Sequence, residues 1–305
     1  MSIRPIKAQS QAQPTMEGAG VHLHRVFGFG DTSQTDPFLM MDDFRNDDPA
    51  HYSAGFPWHP HRGIETITYV LSGSVEHTDS LGNSGLLEPG SVQWMTAGSG
   101  ILHQEMPKGD ELGRMHGFQL WANLPASMKM TSPRYQDIAG DGITELQEDD
   151  GSVIRVVVGN WRGIRGPVDG IAADPQYLDI SVPANTRKVI PIDAYRNAFA
   201  YVFQGEASFR DASAPVGVQI EKEIGGEELL LRDRSGNRTL VLFDTGDEIV
   251  VQTRDQGVRF LLISGKALKE PVAWHGPIVM NTQQEIQQAL RELNDGSFIK
   301  TRARS

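Results

Sequence analysis

His59-Pro60-His61 and, further along, His103-Gln104-Glu105 are the segments whose residue types and spacing could hold a metal ion. Side chains of an extended strand alternate between faces, so the outer residues of each triplet point the same way. Two such strands paired antiparallel would bring three imidazoles and one carboxylate toward a single point. Three neutral nitrogens and one hard oxygen suit iron(II), manganese, nickel, copper or zinc. The chain has no cysteine, which excludes a thiolate-rich structural zinc site. Four protein ligands on an ion that prefers six leave positions open for water, dioxygen or an organic molecule, as a catalytic metal requires.

A lone His-x-His carries little meaning, and His22-Leu23-His24 is the comparison within this chain. It sits in Val21-His22-Leu23-His24-Arg25-Val26-Phe27, where apolar residues alternate with His and Arg. Such a pattern reads as a half-buried strand with its histidines on the solvent face. The pair at His59 and His61 differs in context: Gly55, Phe56, Pro57 and Trp58 precede it, Arg62-Gly63 follows it, and a second candidate pair lies downstream. Glycine permits close backbone approach, and Pro60 fits a strand start or edge.

The elements that must position these residues read as short strands broken by turns. Residues 63–71 form an apolar, β-branched run, and 74–78 form a second. Leu81-Gly82-Asn83-Ser84-Gly85 and Glu88-Pro89-Gly90 turn the chain before a strand at 91–95. Gly98-Ser99-Gly100 precedes 101–106, and a further strand spans 116–124. Many short strands at this spacing indicate a β-sandwich or barrel. Closed into a small jelly roll, they would place inward-facing His and Glu side chains at its mouth.

The chain resembles the pirins, members of the cupin superfamily. The residues that carry the resemblance are His59-Pro60-His61-Arg62-Gly63-Ile64-Glu65-Thr66, Pro89-Gly90-Ser91-Val92-Gln93-Trp94-Met95-Thr96-Ala97-Gly98, and Gly100-Ile101-Leu102-His103-Gln104-Glu105-Met106-Pro107. His116-Gly117-Phe118-Gln119-Leu120-Trp121 continues it, as do Glu270-Pro271-Val272, His275-Gly276-Pro277 and Val279-Met280-Asn281-Thr282. The resemblance implies an iron ion held by His59, His61, His103 and Glu105. Many other cupins use a glutamate a few residues past the first His pair, where Glu65 stands with the strand parity of His59 and His61. Glu105 is preferred as ligand, with Glu65 as a partner that orients an imidazole. His77 and His116 are further candidates for that supporting role, beside the alternative of ordinary hydrogen-bonded structural histidines.

A length of 305 residues suggests two domains, and the sequence echoes itself. Tyr69-Val70-Leu71-Ser72-Gly73 matches Tyr201-Val202-Phe203-Gln204-Gly205, and Thr96-Ala97-Gly98 with Ile101-Leu102 matches Asp244-Thr245-Gly246 with Ile249-Val250. This predicts an all-β chain of two tandem cupin jelly-roll barrels. His59 and His61 then fall opposite Pro191 and Asp193, and His103 and Glu105 opposite Val251 and Thr253, so the second barrel lacks the ligands. The reading assigns 1–135 to a metal-binding cupin domain and 136–305 to a cupin domain without ligands, the boundary falling between Leu124 and Gly151, and it places an insertion over 216–236. One helix is predicted near the C-terminus, capped by Thr282 with Glu285, striped by Ile286, Ala289, Leu290 and Leu293, and ended by Asn294 and Gly296. The basic segment 300–305 is expected to fray.

Residues 1–18 are polar and hold no apolar core for a secretory signal, and no stretch is long enough to span a bilayer. A cytoplasmic location is the default, or a nuclear one in a eukaryote. The net charge of -11 argues against direct nucleic-acid binding. Nothing in the sequence fixes the oligomeric state, and a two-barrel chain could be a monomer.

What the resemblance implies for function is a metal-dependent dioxygenase, of the quercetin 2,3-dioxygenase type, with one divalent ion, Fe(II), as cofactor and a small aromatic substrate and O2 as partners. Glu105 would be the catalytic proton acceptor for a flavonol hydroxyl, and the ring would open with loss of carbon monoxide. Phe56, Trp58, Trp94 and Met95 are candidate walls for a flat ligand, each also explicable as ordinary core. The rival reading, again from the resemblance, is an iron-containing redox sensor that binds a protein partner as a transcriptional co-regulator. A metal-free structural bicupin is disfavoured, because it leaves the two ligand pairs of the first barrel without a purpose.

Overall fold

A computed structural model describes residues 2–30, 32–209, 219–220 and 234–300. The chain divides into two compact units, one made of Met1–Gln13, Ser33–Asp36 and Ile143–Ala267, the other of Pro14–Thr32, Pro37–Gly142 and Leu268–Ser305. Each is built on sheets whose strands pair antiparallel, apart from Ile6–Gln11 beside Gln219–Ile220, so the predicted all-β architecture is the observed one. The units are not linear segments, however, whereas the division at residue 135 is a single cut.

The unit with the histidine triplets contains most of the first twelve strands. These are β1 (Ile6–Gln11), β2 (Gln13–Glu17), β3 (Val21–Phe27), β4 (Phe38–Asp43), β5 (Phe56–His61) and β6 (Ile64–Ser72). They continue with β7 (Ser74–Asp79), β8 (Ser84–Leu87), β9 (Val92–Thr96), β10 (Ile101–Lys108), β11 (His116–Asn123) and β12 (Arg134–Ile138). A seven-stranded sheet runs β12-β9-β6-β11-β4-β3-β2, and a four-stranded sheet runs β5-β10-β7-β8. The sequence explains the roles of the two key strands. β6 is rich in β-branched residues and is buried at seven consecutive positions, Ile64 through Val70, as a central strand covered on both faces should be. β10 alternates instead: Ile101, His103 and Glu105 are buried, while Leu102, Gln104 and Met106 are half-buried. The period of two therefore puts His103 and Glu105 on one inner face.

Between β5 and β6 the chain bends at Gly63, whose φ of +76° and a Cβ that would stand 2.0 Å from the Val279 carbonyl oxygen leave room for glycine only. The same region is fastened to the C-terminal segment. Arg62 is buried, donates from Nε to the Ser99 carbonyl and from Nη2 to the Phe298 carbonyl, and pairs through Nη1 with Glu292 at 2.7 Å. Glu292 lies on helix α1 (Gln283–Asp295), which begins as predicted: the Thr282 hydroxyl accepts from Glu285 N at 3.2 Å, and the Glu285 carboxylate accepts from Thr282 N at 2.8 Å. Gly296, in the left-handed conformation, ends it. Ile286 and Ala289 are buried, and Leu290 and Leu293 pack against their cluster.

In the other unit the sheet order is Thr144–Gln147, Val153–Val158, Gln176–Val182, Val258–Lys266, Arg196–Gly205, Thr239–Phe243, β1 and Gln219–Ile220. Thus β1 joins the later unit although it opens the chain. Two further pairs, Arg187–Pro191 with Glu248–Gln252 and Asn160–Trp161 with Ile164–Arg165, belong to this unit, and Ile190, Ile249, Val251 and Trp161 from them join its apolar core. The positions that correspond to the ligands hold other roles: Val251 is core, the Thr253 hydroxyl donates to the Pro183 carbonyl, and Pro191 and Asp193 are exposed. The insertion expected over 216–236 lies largely outside the described residues, as does all but Lys300 of the segment 300–305.

Candidate metal centre

β5 and β10 pair antiparallel with His103 directly opposite His59 and Ile101 opposite His61. Three imidazoles meet as a result. His59 Nε2 lies 3.1 Å from His61 Nε2 and 3.0 Å from His103 Nε2. Among the described residues, His59, His61 and His103 form the one group of potential ligand atoms, all within 4.8 Å of one another. His103 and His61 are buried and His59 is half-buried.

The protonation of these rings fits a cation. Burial pushes all three below the usual histidine range, and for His61 and His103 the nearby imidazoles add to the depression. The rings are therefore neutral, and a neutral imidazole carries one N–H. His59 Nδ1 lies 2.8 Å from the Pro57 carbonyl, which can only accept, so the proton sits on Nδ1 and the lone pair of Nε2 faces the other two rings. Convergent nitrogen lone pairs in a buried place are the donor set that a first-row divalent ion takes.

Glu105 stands apart from that group. The register of β5 and β10 slips by one residue between His103 and Glu105, so that Glu105 pairs with Phe56. The extra residue lies on β5 at Pro57-Trp58 and bulges that strand, while the alternation of β10 keeps Glu105 on the face of His103. Glu105 sits 3.2 Å from the Thr68 hydroxyl, which is 2.6 Å from Gln119 Oε1. Burial raises its carboxyl to about 7, with the Thr68 contact acting in the opposite direction.

The other predicted residues separate. Glu65 does not share the face of His59 and His61, because the bend at Gly63 interrupts the strand on which that parity depended. It lies on the side of β6 opposite Thr68 and accepts a hydrogen bond from the Thr96 hydroxyl at 2.7 Å. His77 is buried, pairs across β7 and β10 with Glu105, and stacks on Tyr135. His116 stands 3.8 Å from Asp43 and packs edge-on against Phe118. His22 is exposed, stacked on His51, and takes no part in the cluster.

His59, His61 and Glu105 all line a cavity of about 490 Å³, a size that holds a small organic ligand. Phe56 and Trp58 are among its walls, whereas Trp94 and Met95 are not, being fully buried in the core. Residues outside the sequence-based selection also line it: Trp121, whose ring meets His61 edge-on at 5.1 Å, and the polar Glu17, Arg25, Asp42, Thr68 and Gln119. A sequence signal for the last group existed in Gln119, a polar residue set between the apolar Phe118 and Leu120.

Two β-barrel domains with a histidine cluster in one of them define a two-domain cupin. Residues 20–122 match the pirin family and residues 177–299 match the pirin C-terminal cupin domain. The chain belongs to the pirin family. It is 40% identical to a pirin-like protein of Caulobacter vibrioides, over 98% of this chain and 100% of that one. A Pseudomonas aeruginosa protein named as a candidate quercetin 2,3-dioxygenase is 40% identical over 93% of this chain and 94% of its own length. The crystal structure of a quercetin 2,3-dioxygenase from Acinetobacter baumannii superposes with a TM-score of 0.84 at 27% identity, covering 97% of this chain and 99% of that one. No helix among the described residues is long and apolar enough to cross a membrane.

Proposed function

We propose that this protein is a metal-dependent dioxygenase that opens a flavonol such as quercetin with O2. The observation that carries the reading is the meeting of three neutral imidazoles, two of which line a largely apolar cavity. The names of the Pseudomonas and Acinetobacter relatives support it. His59, His61 and His103 would hold the ion, with Glu105 as the carboxylate partner from the same cavity. A divalent ion there, iron(II) in this reading, would supply Lewis acidity that lowers the pKa of a flavonol hydroxyl and a redox centre for reaction with dioxygen.

Glu105 accepts the hydroxyl proton. Its carboxyl, raised to about 7 by burial, exchanges a proton readily near neutral pH. Phe56 and Trp58 offer apolar surface to a flat ring. The His59 ring is oriented by the Pro57 carbonyl. The overall reaction adds both oxygen atoms of O2 to the substrate and expels one ring carbon as carbon monoxide. Mass spectrometry of the product formed from quercetin under ¹⁸O2 tests this: two labelled atoms in a ring-opened ester are expected, with none formed by His103→Ala. Unlabelled or intact quercetin from metal-loaded protein would overturn it.

A further inference from the structure

Arg25, Asp42, Gln119 and Thr68 occupy directly opposed positions on the neighbouring strands β3, β4, β11 and β6. Opposed residues of an antiparallel sheet share a face, and all four line the cavity. They form a polar row that starts beside Glu105 at Thr68 and crosses two strand spacings to Asp42. At about 4.8 Å per spacing that is about 10 Å, comparable with the long axis of a molecule of two or three linked rings. The far end of the row is charged. Arg25 donates to both oxygens of Asp42 at 2.9 Å, and its Nη2 also lies 2.8 Å from Glu17 Oε1.

The cation is thus answered twice, and the formal charges of the cluster sum to one excess negative charge, with burial raising the Asp42 carboxyl and Arg25 acting to keep it ionised. A carboxylate has about four acceptor positions, of which Arg25 takes two on Asp42, so acceptor capacity remains while cationic capacity is largely spent. We propose that Glu17, Arg25 and Asp42 form a charge filter at the end of the row remote from Glu105, admitting an uncharged, hydroxyl-bearing ring and rejecting a ring that carries a carboxylate. A hydroxyl donates to Asp42, whereas an anionic group meets two acids around one neutralised guanidinium. The inference rests on the reading of the cavity as a site for a flat aromatic ligand.

Binding to zinc-loaded protein, followed by quenching of tryptophan fluorescence, tests the filter without turnover. Three probes differ only on the remote ring: galangin, which has no hydroxyl there, quercetin, which has two, and the galangin analogue with a para-carboxylate. Quercetin is expected to bind about tenfold tighter than galangin, as a hydrogen bond to a charged acceptor provides, and the carboxylate about tenfold weaker. Asp42→Asn should remove the advantage of quercetin. Glu17→Lys, at a half-exposed position, should bring the carboxylate to within about threefold of galangin. Equal binding of the three probes by the unmodified protein, no change in preference in Glu17→Lys, or binding of none of them would overturn the filter. The predicted order without oxygen uptake by the iron-loaded protein would remove the dioxygenase reading and keep the filter, and uptake with an unmoved preference would do the reverse.

Discussion

Arg62 Nη1 lies 2.7 Å from Glu292 Oε2, which joins the residue next to His61 to helix α1. Arg62 also donates to the Ser99 and Phe298 carbonyls. The substitution Arg62→Met removes all three connections and leaves their acceptors buried. Loss of one partner from a buried pair typically costs about 3–5 kcal/mol. Denaturant unfolding should show a loss of that order, together with weaker metal retention as the end of β5 loosens.

The same pair sets an acid limit. Burial acts to raise the Glu292 carboxyl, but hydrogen bonds from Gln288, Lys300 and Arg62 outweigh it and hold the group at about 2, against an ordinary 4.5. A carboxyl depressed in the folded state contributes stability that is fully present above the unfolded value and is lost as pH falls toward the folded one. Unfolding free energy should therefore drop between about pH 4.5 and pH 2. Glu292→Gln should be less stable at neutral pH and show a shallower drop across that interval.

Lys129 is buried with its ammonium donating to Asn123 and to the carbonyls of Gly63 and Val279, the last two at 2.9 Å. Burial lowers this amine to about 7, against the pull of Glu270 and Glu285, and the three acceptors are what its N–H groups satisfy. Lys129→Met should destabilise the protein by about 3 kcal/mol, an orphaned buried acceptor costing about 1–3 kcal/mol. A fall in the thermal midpoint measures it.

Glu105 and Glu65 separate the two candidate carboxylates. Glu105 lines the cavity with His59 and His61, while Glu65 is bonded to Thr96 on the other side of β6. Glu105→Ala should reduce bound iron and abolish oxygenation, and Glu65→Ala should do neither to the same extent. Elemental analysis of both variants checks this, and equal metal loss would contradict the assignment.

Much of the positioning was legible in the sequence because it depends on local rules. The alternation of β10 announces that His103 and Glu105 share a face with Ile101, and Thr282 with Glu285 announces the start of α1. What escaped depends on partners distant in sequence. The slip at Pro57-Trp58, which pairs Glu105 with Phe56, exists only as a mismatch between two strands. The parity expected for Glu65 failed at Gly63, where β5 and β6 part into different sheets. The row from Arg25 to Thr68 requires β3, β4, β11 and β6 to lie side by side, an order that no short-range pattern encodes. Trp94 and Met95 illustrate a further limit, since an aromatic or thioether near a site looks the same in sequence whether it faces a cavity or a core.

Oxygen uptake by anaerobically iron(II)-loaded protein given quercetin, with Glu105→Ala as control, tests the central claim most directly. The account predicts one O2 consumed per quercetin opened, and little or no uptake by the variant. Confirmed iron occupancy without uptake would contradict it and favour the redox-sensing reading of the same histidine cluster.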